Sequence, residues 1–317
     1  MYVSQVASQG SKMLSWTMLH NFIKKSEISI KECHELPYLV PYNKVQMLQH
    51  VEELTVSYCN SLTEVFESEG GEGTRKGDVN THYQLQNMTL EHLPKLSHIW
   101  KHNIVKVISF QKLTNIEVLY CHSLKSLFSH AIARSLVQLQ KLKVQNCDMM
   151  EEIVTKKDEN TEGGSKVKIL FPKLKGLTLD HLPNLESVCS RDYDYDLPLC
   201  TIEEDLKFNN TDKVQISFPQ LQELVLIVVP KLKCFCSGAY DYNIMMSSIK
   251  DCPNMTTFPH GNVIVDTPNL HKLWWEWYYI KTLGDLNLTI YYLQNSQKYQ
   301  VQINTYIHEI FHLELLN

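Results

Sequence analysis

Ile116-Glu117-Val118-Leu119-Tyr120-Cys121-His122-Ser123-Leu124 decides how this chain folds, because the chain keeps repeating it. The stretch reads apolar–x–apolar–x–x–Cys–x–x–apolar. Copies with the same cysteine run from Ile28 to Leu36, Leu54 to Leu62 and Leu142 to Met150, and a weaker one runs from Ser247 to Met255. A second version replaces Cys-x with Leu-Pro or Val-Pro. It runs from Met88 to Leu96, Leu177 to Leu185 and Leu224 to Leu232. A degenerate ninth unit surrounds Leu273-Trp274-Trp275. A fixed phrase at a near-fixed period specifies stacked units that bury one continuous core, and it points to a binding surface before a catalytic pocket.

Working outward, apolar residues also precede each phrase by six and three positions. Examples are Phe110 and Leu113, Leu136 and Leu139, Phe171 and Leu174, and Phe218 and Leu221. The L-x-L segment alternates with period two, as a short strand does when one face is buried. The shorter steps between units fall inside the 20–29 residue period of leucine-rich repeats. The fold class expected is therefore an α/β repeat, a leucine-rich-repeat solenoid. A curved parallel β-sheet would line its concave face, with loops, 3₁₀ turns and short helices on the convex face. Ala131 to Leu139 has helical spacing and is expected to be one of those convex elements.

Three polar inserts account for the longer steps, near 67–80, 155–168 and 190–216. The domain reading is an irregular segment over 1–21, a solenoid of about nine units over 22–282, and a C-terminal cap or tail over 283–317. Terminal units of a solenoid must cover its open core, so degenerate ends are expected.

Composition narrows the function classes. Hydrophobic residues make up 44% of the chain, enough for an elongated core, and the net charge is −5, so no basic footprint for nucleic acid is present. No run of about 18 apolar residues exists, so no membrane span is expected, and the first ten residues lack the pattern of a secretory leader. The cysteines number nine, and five recur in one repeat slot. The two versions of the phrase usually alternate, which would set Leu or Val beside Cys in the stack. That arrangement favours reduced, buried thiols over a disulfide ladder, and hence the cytoplasm.

These motifs resemble the C-terminal leucine-rich-repeat region of plant intracellular immune receptors, specifically the coiled-coil, nucleotide-binding, leucine-rich-repeat disease resistance proteins. The resemblance rests on Leu93-Pro94-Lys95-Leu96-Ser97-His98-Ile99-Trp100, on Phe128 to Leu136, on Cys147 to Val154, and on Phe171-Pro172-Lys173-Leu174 with its partner Phe218-Pro219-Gln220-Leu221. It covers roughly residues 22 to 300. It implies a module that senses a protein ligand: a pathogen effector, a guarded host protein or a signalling module in trans. The family's nucleotide-binding loop, G-x-x-x-x-G-K-[ST], has no counterpart here, because the glycine-rich run Gly70 to Gly77 has the wrong spacing. No nucleotide cofactor is therefore carried over. The alternatives are a leucine-rich-repeat substrate adaptor or scaffold, and a truncated receptor paralogue without independent function.

Several residues carry possible chemistry and are weighed against simpler readings. His308-Glu309-Ile310-Phe311-His312 matches the H-E-x-x-H zinc signature, which needs a third protein ligand. Only five residues follow His312, so an exposed terminal segment is the expected reading. Cys234 and Cys236 make a weak metal signature without a second pair. His92 and His181 occupy the same slot in the Leu-Pro version and are expected to face solvent on adjacent parts of the concave side. Neither a catalytic set nor a metal site is expected, and the chain is read as non-enzymatic.

Function is staked on the x positions, which project from the sheet. The candidate protein-binding concave face comprises Tyr58, Glu91, Glu117, Leu119, Tyr120, Lys143, Gln145, Asp180, Val225, Ile227, Trp274 and Trp277, with Ser57 also read as outward. Exposed Trp and Tyr are enriched among binding hot spots. The competing reading for Trp274 and Trp277 is that the C-terminal segment packs over them.

Overall fold

The computed structural model describes residues 2–4, 26–41, 48–67, 83–100, 110–155, 171–189, 220–236, 246–255, 257–259, 272–275 and 278–280. One sheet runs through it in chain order: β1 (Tyr2–Ser4), β2 (Glu27–Lys31), β3 (Glu53–Ser57), β4 (Asn87–Glu91), β5 (Asn115–Leu119), β6 (Lys141–Gln145), β7 (Gly176–Asp180), β8 (Glu223–Ile227), β9 (Met246–Lys250), β10 (Lys272–Trp275) and β11 (Tyr278–Ile280). Strands β1 to β10 are parallel, and β11 returns antiparallel to β10. Parallel neighbours need a long connection, and each repeat supplies one.

The register is that of the phrase itself. Ile28 pairs with Leu54, then Met88, Ile116, Leu142, Leu177, Leu224 and Ser247 in turn. A one-residue slip would turn every apolar side chain to the other face, so the L-x-L alternation fixes this register strongly. The inward residues are almost fully buried: Leu90, Val118, Val144, Leu179 and Leu226 are all 0% exposed. Each such side chain stabilises the fold by roughly 1.5–3 kcal/mol.

The second half of the phrase is a turn. The N–H of the final apolar residue donates to the carbonyl of the Cys or Leu slot three residues earlier, as from Leu96 to Leu93, Leu124 to Cys121, Leu185 to Leu182 and Leu232 to Val229. Proline suits the second position of such a turn, because its φ is preset and its missing N–H has no role there. The two versions of the phrase are thus two solutions to one turn. The cysteine version adds a weak donor: Cys121 Sγ donates to Leu119 O at 3.5 Å and Cys252 Sγ to Lys250 O at 3.2 Å. The upstream F-x-x-L segment makes the same kind of turn, with Leu113 N donating to Phe110 O and Leu174 N to Phe171 O.

The side away from the sheet differs from expectation. Its regular elements are mostly three-residue strands, which the sequence reading did not foresee. Tyr38–Val40 pairs with Glu64–Phe66, Ser126–Phe128 and Ser187–Cys189 flank Glu152–Val154, and Cys234–Cys236 pairs with Thr257–Pro259. Neighbouring units run so closely in register that their return segments also come within hydrogen-bonding reach.

Among the described residues one α-helix appears, α1 (His130–Ser135), which begins one residue before the stretch expected to be helical, Ala131 to Leu139, and covers its first half. Ser129 caps it by accepting from Ile132 N. It stops before Leu139 because Leu136 to Leu139 must form the turn that leads into β6.

A row of aromatic side chains fills the core beneath these segments. Phe110 touches Tyr83, Phe66 and Trp100, and Phe128 bridges Trp100 to Phe171.

Segment 1–21 is not wholly irregular. Its Tyr2-Val3-Ser4 adds β1 to the edge of β2, where unpaired backbone groups are available. The inserts, save Glu67 and Thr155 at their margins, and the 283–317 segment lie outside the described residues.

Candidate recognition surface

Strand alternation collects the expected outward residues into two rows. Thr89, Glu117, Lys143, Thr178 and Val225 pair in one register, and Glu91, Leu119, Gln145, Asp180 and Ile227 in the other. Glu117 is exposed and the others are half-buried. Ser57, also read as outward, is buried at 7% exposure: it is small and sits between Lys31 and Glu91 in register.

A third row lies just beyond the strand ends. Glu32, Tyr58, His92, Tyr120, Asn146, His181, Val228 and Asp251 all have φ between 50° and 58°. Each stands immediately before the Cys or Leu slot, once per unit. The left-handed conformation turns the chain off the strand while keeping its N–H in the ladder. Tyr58 N donates to Glu91 O, His92 N to Leu119 O, Tyr120 N to Gln145 O and Asn146 N to Asp180 O, all at 2.9–3.0 Å. Non-glycine residues adopt this conformation rarely, and asparagine, aspartate and histidine do so most readily. The repetition across units was the available signal, and sequence reasoning saw the slot without its backbone.

Three consecutive rings occupy that row. His92 stacks on Tyr58 with centroids 4.5 Å apart and planes 16° off parallel, and on Tyr120 at 4.3 Å and 3°. Lys31 Nζ sits 5.3 Å from the Tyr58 ring, closing one end of the stack with a cation. Glu91 Oε1 lies 3.6 Å from His92 Nε2. Tyr58 remains 40% exposed although it is large and aromatic. His181 does not adjoin His92 as expected: Tyr120 and Asn146 occupy the slots between them. His181 instead pairs with Asp180 at 2.6 Å.

The strand starts on this face carry a polar ladder. Asn87 Nδ2 donates to Glu53 Oε1 at 3.1 Å and Asn115 Nδ2 to Asn87 Oδ1 at 2.5 Å. These bonds fix the amides; Glu91 lies against His92, Glu117 stands on the strand that leads into Tyr120, and Glu32 holds the slot beside Tyr58.

The cysteine slot is buried, but not as the alternation argument had it. Cys33 adjoins Cys59 and Cys121 adjoins Cys147, because these units share the cysteine version consecutively. Hydrogen bonding between the paired sulfurs, and then burial, pushes the Cys33 and Cys121 thiols up. Cys33, Cys59, Cys121 and Cys147 are free and buried, and Cys252 is buried as well.

Among the described residues, no group of three or more His, Cys, Asp or Glu side chains is placed to hold a metal, and no helix is long and apolar enough to cross a membrane. His308 to His312 and Trp277 lie outside the described residues, and for Trp274 the strand is described but not the side chain. What the arrangement offers is a ridged, half-polar surface able to hold a partner by stacking, hydrogen bonds and charge.

The family model described as plant disease resistance protein RPS2-like, leucine-rich repeats, matches residues 14–148 and 137–204, more than half of the chain. The chain belongs to this family of plant disease resistance leucine-rich repeats. A curated relative, the probable disease resistance protein At4g27220 of Arabidopsis thaliana, is 29% identical over 168 residues. The match covers 45% of this chain and 18% of that protein, so the chain spans less than a fifth of its relative's length. No solved structure gives a significant match. Family membership agrees with the in-register parallel sheet and with the resemblance carried by the Leu-Pro and Cys motifs.

Proposed function

We propose that this leucine-rich-repeat chain is a non-enzymatic protein-recognition module in plant defence, acting in the cytoplasm. Its ligand would be a pathogen effector, a guarded host protein or a signalling module in trans. One observation carries the reading. From β2 to β8 the inward slots repeat an apolar type, with Ser247 on β9 the polar exception, whereas the outward slots differ from unit to unit: Thr89, Glu117, Lys143, Thr178 and Val225 in one row, Glu91, Leu119, Gln145, Asp180 and Ile227 in the next. A fold that needed this face only for solubility would place no demand on an exposed Tyr58 or on a half-buried Val225 and Ile227. Outward variation changes what is bound without disturbing the core. The free, buried thiols support a reducing compartment.

The test is a combined variant carrying Glu91→Ala, Glu117→Ala, Lys143→Ala, Asp180→Ala and Val225→Ala, produced as the full chain and checked for retained β-sheet signal by circular dichroism. Loss of the defence phenotype in leaf tissue with the fold intact supports the reading. A folded variant with an unchanged phenotype overturns it.

A further inference from the structure

We propose that the Tyr58–His92–Tyr120 row, with Glu91 and Glu117, docks an arginine-bearing extended segment of a protein partner. This rests on the recognition reading and names the chemistry of the partner at one place on the face.

Charge supplies the first half of the recognition. The outward positions of β3, β4 and β5, with the slot after each strand, hold Glu53, Glu91 and Glu117 and neither lysine nor arginine. Basic residues resume only at the borders, with Lys31 on β2 and Lys141 and Lys143 on β6. The window is therefore acidic and three strands wide. At about 4.8 Å per strand it spans roughly 14 Å, the length of about four extended residues.

The rings supply the second half. A stack of three parallel rings presents π-faces only at its ends. Lys31 already occupies the Tyr58 end, so the molecule itself places a cation over this row. At the Tyr120 end the next slot holds Asn146, a neutral side chain; Leu119 and Gln145, which pair in register just before the slot, are neutral too, and Lys143 pairs with Glu117 one step further back along the strands. A guanidinium fits that place better than an ammonium. It is planar, loses less on desolvation, stacks on an aromatic face and pairs with a carboxylate through two parallel N–H donors. Glu117 sits on the strand that leads directly into Tyr120, and Glu91 on the strand beside it.

The test uses the full chain and three fluorescein-labelled peptides of equal length, Gly-Arg-Gly-Arg, Gly-Lys-Gly-Lys and Gly-Glu-Gly-Glu, followed by fluorescence anisotropy at low and high salt. The variants are Glu117→Gln and Tyr120→Asn; asparagine is chosen because Asn146 shows that the slot accepts it. The arginine peptide is expected to bind most tightly and to weaken with salt. Each variant should lower its affinity by about tenfold, the loss of one good charge-assisted or stacking contact. Equal binding of the arginine and glutamate peptides, a lysine peptide as tight as the arginine one, or variants with unchanged affinity would each overturn the proposal. If the defence phenotype depends on Asp180 and Val225 while Tyr120→Asn and Glu117→Gln leave it intact, the recognition reading stands and this site falls.

Discussion

The backbone N–H of Val228 donates to the Lys250 carbonyl at 2.9 Å while Val228 is held at φ 50°. The hydrogen bond belongs to the inter-unit ladder, so the geometry is imposed by the repeat. The side chain opposes it, since a β-branched residue in the left-handed region is strained by roughly 1–3 kcal/mol. Val228→Asn should therefore stabilise the chain by about 1 kcal/mol, raising the melting temperature by about 2 °C. A melting temperature that falls in scanning calorimetry would show that packing of the valine outweighs its backbone strain.

Tyr83 is buried, and its hydroxyl has no hydrogen-bond partner among the described residues. Burial pushes its phenol up to about 12, from an ordinary value of 10. The folded state thus keeps the proton that the unfolded state releases. The contribution to stability is fully present below pH 10 and is lost as pH rises from 10 through 12. Tyr83→Phe should flatten that decline, and at neutral pH it should gain about 1 kcal/mol by removing an unsatisfied hydroxyl. Urea unfolding of both proteins at pH 7 and pH 11 checks the slope and the offset.

Cys59, Cys121 and Cys147 are 0% exposed. Thiol reagents should label them slowly in the native chain and at once in denaturant. Mass spectrometry of peptides after a short pulse at pH 8 reads this directly. Fast native labelling of all three would mean that the phrase is threaded in another register.

Leu179 and Thr178 are adjacent on β7 and face opposite ways, one buried and one half-buried. Leu179→Ala should destabilise the chain by about 3 kcal/mol through the cavity it leaves, whereas Thr178→Ala should change stability by about 0.5 kcal/mol or less. Similar losses for the two, measured by chemical denaturation, would contradict the alternation on which the sheet is built.

Much of this fold is legible in the sequence because one short pattern carries it. The L-x-L alternation sets burial, and equal positions in successive phrases become register partners, as with Leu90, Val118 and Val144. The three-residue strands were not legible. Glu152-Ile153-Val154 pairs only because β6 next to it has already fixed its neighbours' height, and pairing partners leave no local mark on sequence. The cysteine pairs were misjudged for a different reason. Counting the versions along the chain suggests alternation, yet stacking depends on immediate succession, and Cys121 is followed directly by Cys147. On the outward face of the sheet, the projecting positions could be read from the period of two. The left-handed backbone at Tyr58 and Tyr120 could not, since tyrosine does not announce it, and a single histidine at His92 is too weak a signal.

The left-handed slot recurs once per strand, and strands lie about 4.8 Å apart, while an extended chain advances about 3.3 Å per residue. Two slots therefore measure about 9.6 Å and three ligand residues about 9.9 Å, a near coincidence of two graduated scales. A segment laid across the units would come back into phase at every third residue, so this face would read its partner as a vernier reads a rule. Sequence choice at the slots sets which marks are engraved, and the backbone sets only the interval between them.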